Sequence, residues 1–240
     1  MGSQPQFGSL SRLAPSGLRP GGFLLVTTMN RTTFLVDGFN LYHSLRTASE
    51  ELGGASTKWL DLSGLLRSYL PNIGGGAQIE RIYYFSALAT HLEQRQPGVT
   101  VRHRAYIECL QSTGIVPILG RFKSKQVHCR NCRRQSEHFE EKETDVAIST
   151  KLLEVLHLDA ADTVVLVTGD TDLAPAVRTA RSLFPTKRIW FVFPYKRKNK
   201  ELAQIADGNC YLRKERYVQH QFPAAVTLAT GRTIAKPATW

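Results

Sequence analysis

From residue 32 onward the chain alternates between two hydrophobic periods. Short apolar runs occur at 33–36 (TFLV), 82–85 (IYYF), 115–119 (IVPIL), 163–167 (TVVLV) and 189–193 (IWFVF). Each is rich in β-branched or aromatic residues and too short for a buried helix, so each reads as a strand buried on both faces. Helix-period segments lie between them, at about 39–48, 60–70, 98–112, 145–158, 173–183 and 199–206. This alternation predicts an α/β fold: a central, mostly parallel sheet of about five strands with helices on both faces. In such sheets the ligand crevice lies beyond the carboxyl ends of the strands. The polar, basic stretch 120–143 interrupts the rhythm between a strand and a helix. Near the end, 226–234 (VTLATGRTI) alternates around a glycine and predicts a hairpin, and Trp240 is expected to pack on the core.

The first 28 residues follow neither period. They contain five Gly, three Pro and four Ser and no acidic residue, so they are expected to form a disordered extension. The two methionines are Met1 and Met29, and a patterned strand begins just after the second, which makes Met29 the expected biological start. Residues 207–240 are expected to form a C-terminal extension carrying the hairpin.

Composition narrows the function. Over 240 residues, 31 Lys+Arg against 20 Asp+Glu leave a formal charge of +11, which favours a polyanionic partner and nucleic acid before an anionic membrane. A hydrophobic fraction of 42% is enough for a packed core, and no apolar run approaches the roughly 20 residues of a membrane helix. Four Cys are too few for a disulfide framework, so a reducing cytoplasm is expected. A homodimer remains open.

Against this basic background, acids collect at the predicted crevice. Asp37 directly follows the first strand in FLVDGFN, and Asp170 and Asp172 follow the fourth in VVLVTGDTD. Asp145 opens the helix before that strand, in EKETDVAIS. Carboxylates about 4 Å apart repel by roughly 4 kcal/mol at an effective dielectric of about 20. Either some of them take up protons, or a hard cation such as Mg²⁺ or Mn²⁺ sits among them. A cation held this way activates water and clamps a phosphate. Two of the acids also have a local reading. Asp145 suits a helix N-terminus with Thr144 as cap, and Asp172 suits the N-cap of the next helix, with Pro175 at its third position. A charge at the end of a buried strand, as at Asp37, is harder to assign to capping alone.

The segments VDGFNLYH, EKETDVAIS and LVTGDTDLAPAV, in that order, resemble the three acidic motifs of the NYN-domain family, a branch of the PIN-like nucleases. FPYKRKNKELAQIAD and the ending GRTIAKPATW are also similar to bacterial NYN-domain proteins. The resemblance implies a Rossmann-like α/β/α sandwich over about 29–206 and a Mg²⁺- or Mn²⁺-dependent ribonuclease centre. It implies metal-binding and catalytic roles for Asp37, Asp145, Asp170 and Asp172. Asn40 takes the Asn position of the first motif, where it would orient substrate or water. The implied partner is RNA, in single-stranded or exposed segments. Two alternatives share these residues. One is an RNA-binding adaptor of the same fold without turnover. The other is a haloacid-dehalogenase-like phosphatase with Asp170 as nucleophile, which leaves Asp37 and Asp145 without roles. A dinucleotide-binding fold fails for want of GxGxxG after the first strand.

Two basic clusters complete the picture. Residues 121–134 (RFKSKQVHCRNCRR) hold Arg121, Lys123, Lys125, Arg130, Arg133 and Arg134 with no acid between them, suited to a phosphate backbone. Lys196, Arg197, Lys198 and Lys200 follow the last core strand. Tyr195 offers a stacking face, whereas Tyr42 is expected in the core. Cys129 and Cys132 form a CxxC, half of a structural Zn²⁺ knuckle that His128 or His138 would complete, or else two reduced thiols. Cys109 and Cys210 read as small packed residues.

Overall fold

A computed structural model describes residues 29–128 and 135–240. In chain order the elements are β1 Asn30–Asp37, α1 Gly38–Glu51, α2 Leu62–Arg67, α3 Leu70–Ile73, β2 Ala77–Ala87, α4 Val99–Ser112, β3 Val116–His128 and β4 Gln135–Lys142. There follow α5 Thr144–His157, β5 Thr163–Val167, α6 Ala174–Leu183, β6 Arg188–Phe193, α7 Lys200–Ile205, β7 Gly208–Tyr211, α8 Lys214–Gln219 and the pair β8 Ala225–Thr227 and β9 Thr233–Ala235.

Seven strands form one sheet in the order β4-β3-β2-β1-β5-β6-β7, parallel throughout except for antiparallel β4. Alternate residues of each central strand enter opposite cores. Phe34 and Val36 of β1 meet Leu41, Leu65, Leu110 and Tyr217 from α1, α2, α4 and α8. Leu35, between them, meets Ile148, Val177 and Leu202 from α5, α6 and α7 on the other face. The result is the expected three-layer α/β/α architecture.

The sheet has two strands more than the apolar runs indicate. β4 and β7 are edge strands, and an edge exposed to water needs no continuous hydrophobic run. The described part of the basic stretch is therefore not a loop: β3 continues past the parallel core and pairs with β4 as a ribbon, from Arg121 opposite Lys142 to His128 opposite Gln135. The segment expected as one helix over 60–70 divides into α2 and α3, with Pro71 in the first turn of the second. Tyr42 is not in the core but 41% exposed on α1. Cys109 is fully buried and Cys210 partly so, and burial pushes both thiols up to about 11. At the C-terminus β8 pairs with β9, and Trp240 packs its ring against Trp59 and Tyr106 at centroid distances of 6.2 and 5.7 Å.

The chain runs outward from β1 through β2 to β3, then returns to β5 on the other side of β1. The switch point lies between β1 and β5, and the crevice opens beyond their carboxyl ends. Asp37 and the loop carrying Asp170 occupy that place.

Candidate metal centre

Asp37 ends β1 and caps α1 at once. Its Oδ1 accepts hydrogen bonds from the backbone N–H groups of Phe39 (3.1 Å) and Asn40 (2.9 Å), and Oδ2 accepts one from the Thr168 hydroxyl (2.8 Å). Both lone pairs of Oδ1 are thus engaged, while Oδ2 keeps one. The next residue has to be Gly38, because a Cβ there would lie 2.5 Å from the Phe85 carbonyl oxygen and 2.8 Å from the Tyr84 ring. This tight passage explains why a charged Asp follows a buried strand without disturbing the sheet.

The loop after β5 is tied to the same residues. The Thr168 hydroxyl that donates to Asp37 also accepts from the Asp170 N–H (3.1 Å). Asn40 Oδ1 accepts from the Gly169 N–H (3.1 Å), so its observed role is to fix this loop. A Cβ at Gly169 would overlap the backbone carbonyl of Arg197. Asp170 then caps a single 3-10 turn, Thr171–Leu173, by accepting from the Asp172 N–H at 3.0 Å. The cap is therefore Asp170, not Asp172, which is exposed at the second position of that turn.

Asp145 arrives from the other core face, in the first turn of α5. Glu143, not Thr144, is the N-cap residue of this helix; it holds φ at 81° with no side-chain capping bond. Thr144 is buried, and its hydroxyl has no partner among the described residues. A non-glycine residue at that φ costs on the order of 1–3 kcal/mol, and here the strained turn carries β4 directly into the helix that bears Asp145.

Asp37, Asp145 and Asp170 each direct a carboxylate oxygen to within 4.8 Å of the other two. At about 5 Å, each ionised pair repels by roughly 3 kcal/mol at an effective dielectric of about 20. The strain appears as raised proton affinity. Burial, then Asp170, Asp37 and Asp172, push Asp145 from 3.8 up to about 6. Burial also raises Asp37, with Asp170 adding to it, against hydrogen bonds that lower it. Asp172 lies outside the set of three, although Asp145 feels its charge.

Glu141, on β4, is a fourth acid that the motifs do not include. Burial and the charges of Asp37 and Asp145 push it up to about 7, and its Oε1 is buried with no partner among the described residues. The three converging carboxylates, with Glu141 close enough to feel the charges of Asp37 and Asp145, form an all-oxygen donor set. Such a set fits a hard divalent cation of the Mg²⁺ or Mn²⁺ kind.

The basic residues distribute unevenly around this cluster. Directly paired residues on the ribbon share a face, so Phe122 and Glu141 lie on one side, and Arg121, Lys123, Lys125, Glu140 and Lys142 on the other. Phe122 reaches Phe39 and His91 beside the acids. Arg121 pairs with Glu143 (2.6 Å), while Lys125 and Lys142 both pair with Glu140 (3.0 and 2.8 Å). Arg121, Lys123 and Lys125 therefore face away from the acids, and two of these three are paired, with Glu143 and Glu140. Arg130, Arg133, Arg134, Cys129 and Cys132 lie outside the described residues. Of the second cluster, Lys196 pairs with Glu51, which also accepts from the Tyr195 hydroxyl (2.6 Å) and Lys214 (3.2 Å). Arg197 and Lys198 carry no ion pair among the described residues, and Arg197 abuts the acid loop at Gly169.

The NYN domain model matches residues 31–213, and the chain belongs to the NYN-domain family. That family generally consists of PIN-like nucleases that act on RNA with divalent metals. No curated protein matches the chain. Among solved structures, a protein of unknown function from Vibrio parahaemolyticus RIMD 2210633 is similar over 77% of this chain and 94% of that one, at 17% identity and a TM-score of 0.49. Acinetobacter baumannii MurG is similar over 81% and 43% of the two chains, at 11% identity and a TM-score of 0.34. A deacetylase of the teicoplanin biosynthesis pathway follows, over 66% and 68%, at 9% identity and a TM-score of 0.32. These three likenesses carry no inference about function. No helix among the described residues is long and apolar enough to cross a membrane.

Proposed function

We propose that this chain is a divalent-metal-dependent ribonuclease that hydrolyses phosphodiester bonds of RNA. The observation that carries the reading is the convergence of Asp37, Asp145 and Asp170 within 4.8 Å in a chain of net charge +11. Those three residues would hold Mg²⁺ or Mn²⁺, with Glu141 and Asp172 adding negative charge behind them. A bound cation supplies water activation and charge compensation at the scissile phosphate.

The chain's own residues supply rigidity and placement. Thr168 joins Asp37 to the Asp170 backbone, so the two strand-end acids are set by one hydroxyl. Asn40 pins the peptide between them. Arg197, free of ion pairs among the described residues, stands beside this loop, with Lys198 next in sequence, and the two would attract the phosphate backbone; Lys123, also without an ion pair, faces away on the ribbon. Single-stranded RNA suits an open crevice at a sheet edge better than a duplex does, because its bases can be splayed out.

The test is cleavage of labelled single-stranded RNA in Mn²⁺, Mg²⁺ or EDTA, with the parent chain and Asp170→Asn. Products that require the cation and Asp170 are expected. Undiminished turnover by Asp170→Asn, or cutting that persists in EDTA, would remove the carboxylate centre as its source. RNA binding without any cutting would leave an adaptor of the same fold.

A further inference from the structure

Beside the acids lies a cavity of about 550 Å³ that the proposed reaction does not use. Ligand pockets commonly span about 300–1,000 Å³. Gly38 and Phe39, the two residues after Asp37, form one wall; Ser86 and Ala87 at the end of β2 form a second, and Phe122 of β3 a third. The cavity therefore opens one residue away from the acidic cluster.

Its lining has an unusual chemistry for a core void. No Asp or Glu lines it, but Lys58 and Arg102 do. Neither cation lies within ion-pair distance of a carboxylate among the described residues: Arg102 donates to the Pro97 carbonyl (2.9 Å) and reaches Glu93 only through its charge, and the Lys58 ammonium sits 5.9 Å from the centroid of the Tyr42 ring. Burial, with the charges of Arg46 and Arg102, pushes Lys58 below its ordinary value. Rings supply the walls. His91 lies 4.5 Å from Phe122 between centroids, and Phe39 meets Phe122 edge-on at 5.6 Å. Hydrogen-bonding groups supply the floor. Burial lowers His103 to about 4, so it is neutral at pH 7 and offers one donor and one acceptor; its Nε2 lies 3.4 Å from the Ser86 hydroxyl. His91 Nδ1 is buried with no partner among the described residues.

We propose that this cavity receives one unstacked base of the RNA strand, with Lys58 and Arg102 on the flanking phosphates. This rests on the ribonuclease reading and gives it a binding subsite. Aromatic faces stack on a base of any identity, and neutral ring nitrogens and a hydroxyl satisfy its edge. An apolar occupant would leave Lys58 without a counter-charge, and inorganic phosphate alone would leave the aromatic walls wet.

The experiment compares two ligands on the full chain in EDTA, where no strand is cut: a labelled single-stranded RNA and the same ribose-phosphate chain without bases. Fluorescence anisotropy gives affinity, and tryptophan emission reports occupancy, since Trp240 lines the cavity. The bases are expected to strengthen binding at least about fivefold, the lower end of stacking on aromatic side chains. Tyr42→Ala should weaken RNA binding by about fivefold and leave the baseless chain unaffected, whereas Lys58→Ala should weaken both alike. Equal affinity for the two ligands, or an equal loss on both with Tyr42→Ala, overturns the proposal. Tyr42 is 41% exposed, so its removal threatens folding little, and the two-ligand comparison on the unaltered chain decides the matter without it. The two readings fail separately. Cation-dependent cutting without base-dependent binding retires the subsite alone; base-dependent binding without cutting in any divalent cation retires the nuclease alone.

Discussion

Removing Asp145 should make the metal-free protein more stable, not less. Its carboxyl is raised from 3.8 to about 6, chiefly by burial and then by the charges of Asp170, Asp37 and Asp172. Between those pH values the folded chain keeps a proton that the unfolded chain has released, so stability falls as pH rises through the window and the full penalty is present by about pH 7. A shift of about two units corresponds to ~3 kcal/mol, and discounting for a half-buried group leaves roughly 1–2 kcal/mol. Asp145→Asn also forfeits a favourable charge at a helix N-terminus, worth about 0.3–1 kcal/mol. The net gain is about 1 kcal/mol, or ~2–4 °C in melting temperature for a chain of this size. The assay is thermal unfolding with EDTA at pH 5 and pH 7.5, then with Mn²⁺ at pH 7.5. Asp145→Asn should melt higher than the parent at pH 7.5, and by a margin about half as large at pH 5, where part of the penalty is already present. Saturating Mn²⁺ at about 100-fold over its dissociation constant adds ~2.7 kcal/mol to the parent and much less to the variant. A variant destabilised equally at both pH values, or stabilised by Mn²⁺ as strongly as the parent, would falsify the claim that these acids repel one another around a cation site.

Three further outcomes follow from neighbouring contacts. Glu141→Gln should weaken Mn²⁺ binding by about tenfold in calorimetric titration, as loss of a supporting group around a metal does; unchanged affinity would place Glu141 outside the centre. Thr168→Val leaves the buried Asp37 oxygen without its donor, a loss of about 1–3 kcal/mol. Urea unfolding should show it together with reduced cleavage, and a stable, fully active variant would refute the link between the two acids. Far from the site, the Arg31 guanidinium holds Asp162 well below the ordinary carboxylate range. A depressed folded value contributes stability above about pH 4 that is lost as pH falls further. Arg31→Gln should therefore move the acid-unfolding midpoint upward in circular dichroism, and an unmoved midpoint would show the pair to be idle.

The parts of the fold legible in the sequence are those buried on both faces. β1 and β5 announce themselves as FLV and TVVLV because parallel central strands are buried on both sides, and the polar residues buried with them, Thr32, Thr33 and Thr163, are β-branched threonines. Their following acids were legible for the same reason: a charge where apolar residues end marks the sheet's edge. β4 was not, because QSEHFEEK needs to satisfy only one neighbour and water, and its inward positions include Phe139 and the charged Glu141. The period-two placement of Phe122 and Phe139 amid charges was the available signal. Reading the basic run only as far as Arg134 also stopped short of Glu140 and Glu143, which pair with Lys125 and Arg121. The GDTD spacing suggested two equivalent acids, but a 3-10 turn turns the second outward. Thr168 was in plain view within LVTGD, yet nothing in a pattern of apolar and polar positions distinguishes a bridging hydroxyl from a strand residue.

The contact at Gly169 has a consequence for how such a protein can change over generations. The peptide preceding Asp170 rests directly on the backbone of Arg197, so the loop that carries acids and the loop that carries free cations share one boundary. Insertions or bulkier residues on either side are transmitted to the other as a displacement. Substrate preference and chemistry are thereby coupled in inheritance: a lineage that remodels the 195–199 loop to hold a different polyanion must also re-seat its carboxylates, and variation should accumulate instead on the outward face of the ribbon, at Lys123 and Lys125, which presses on neither.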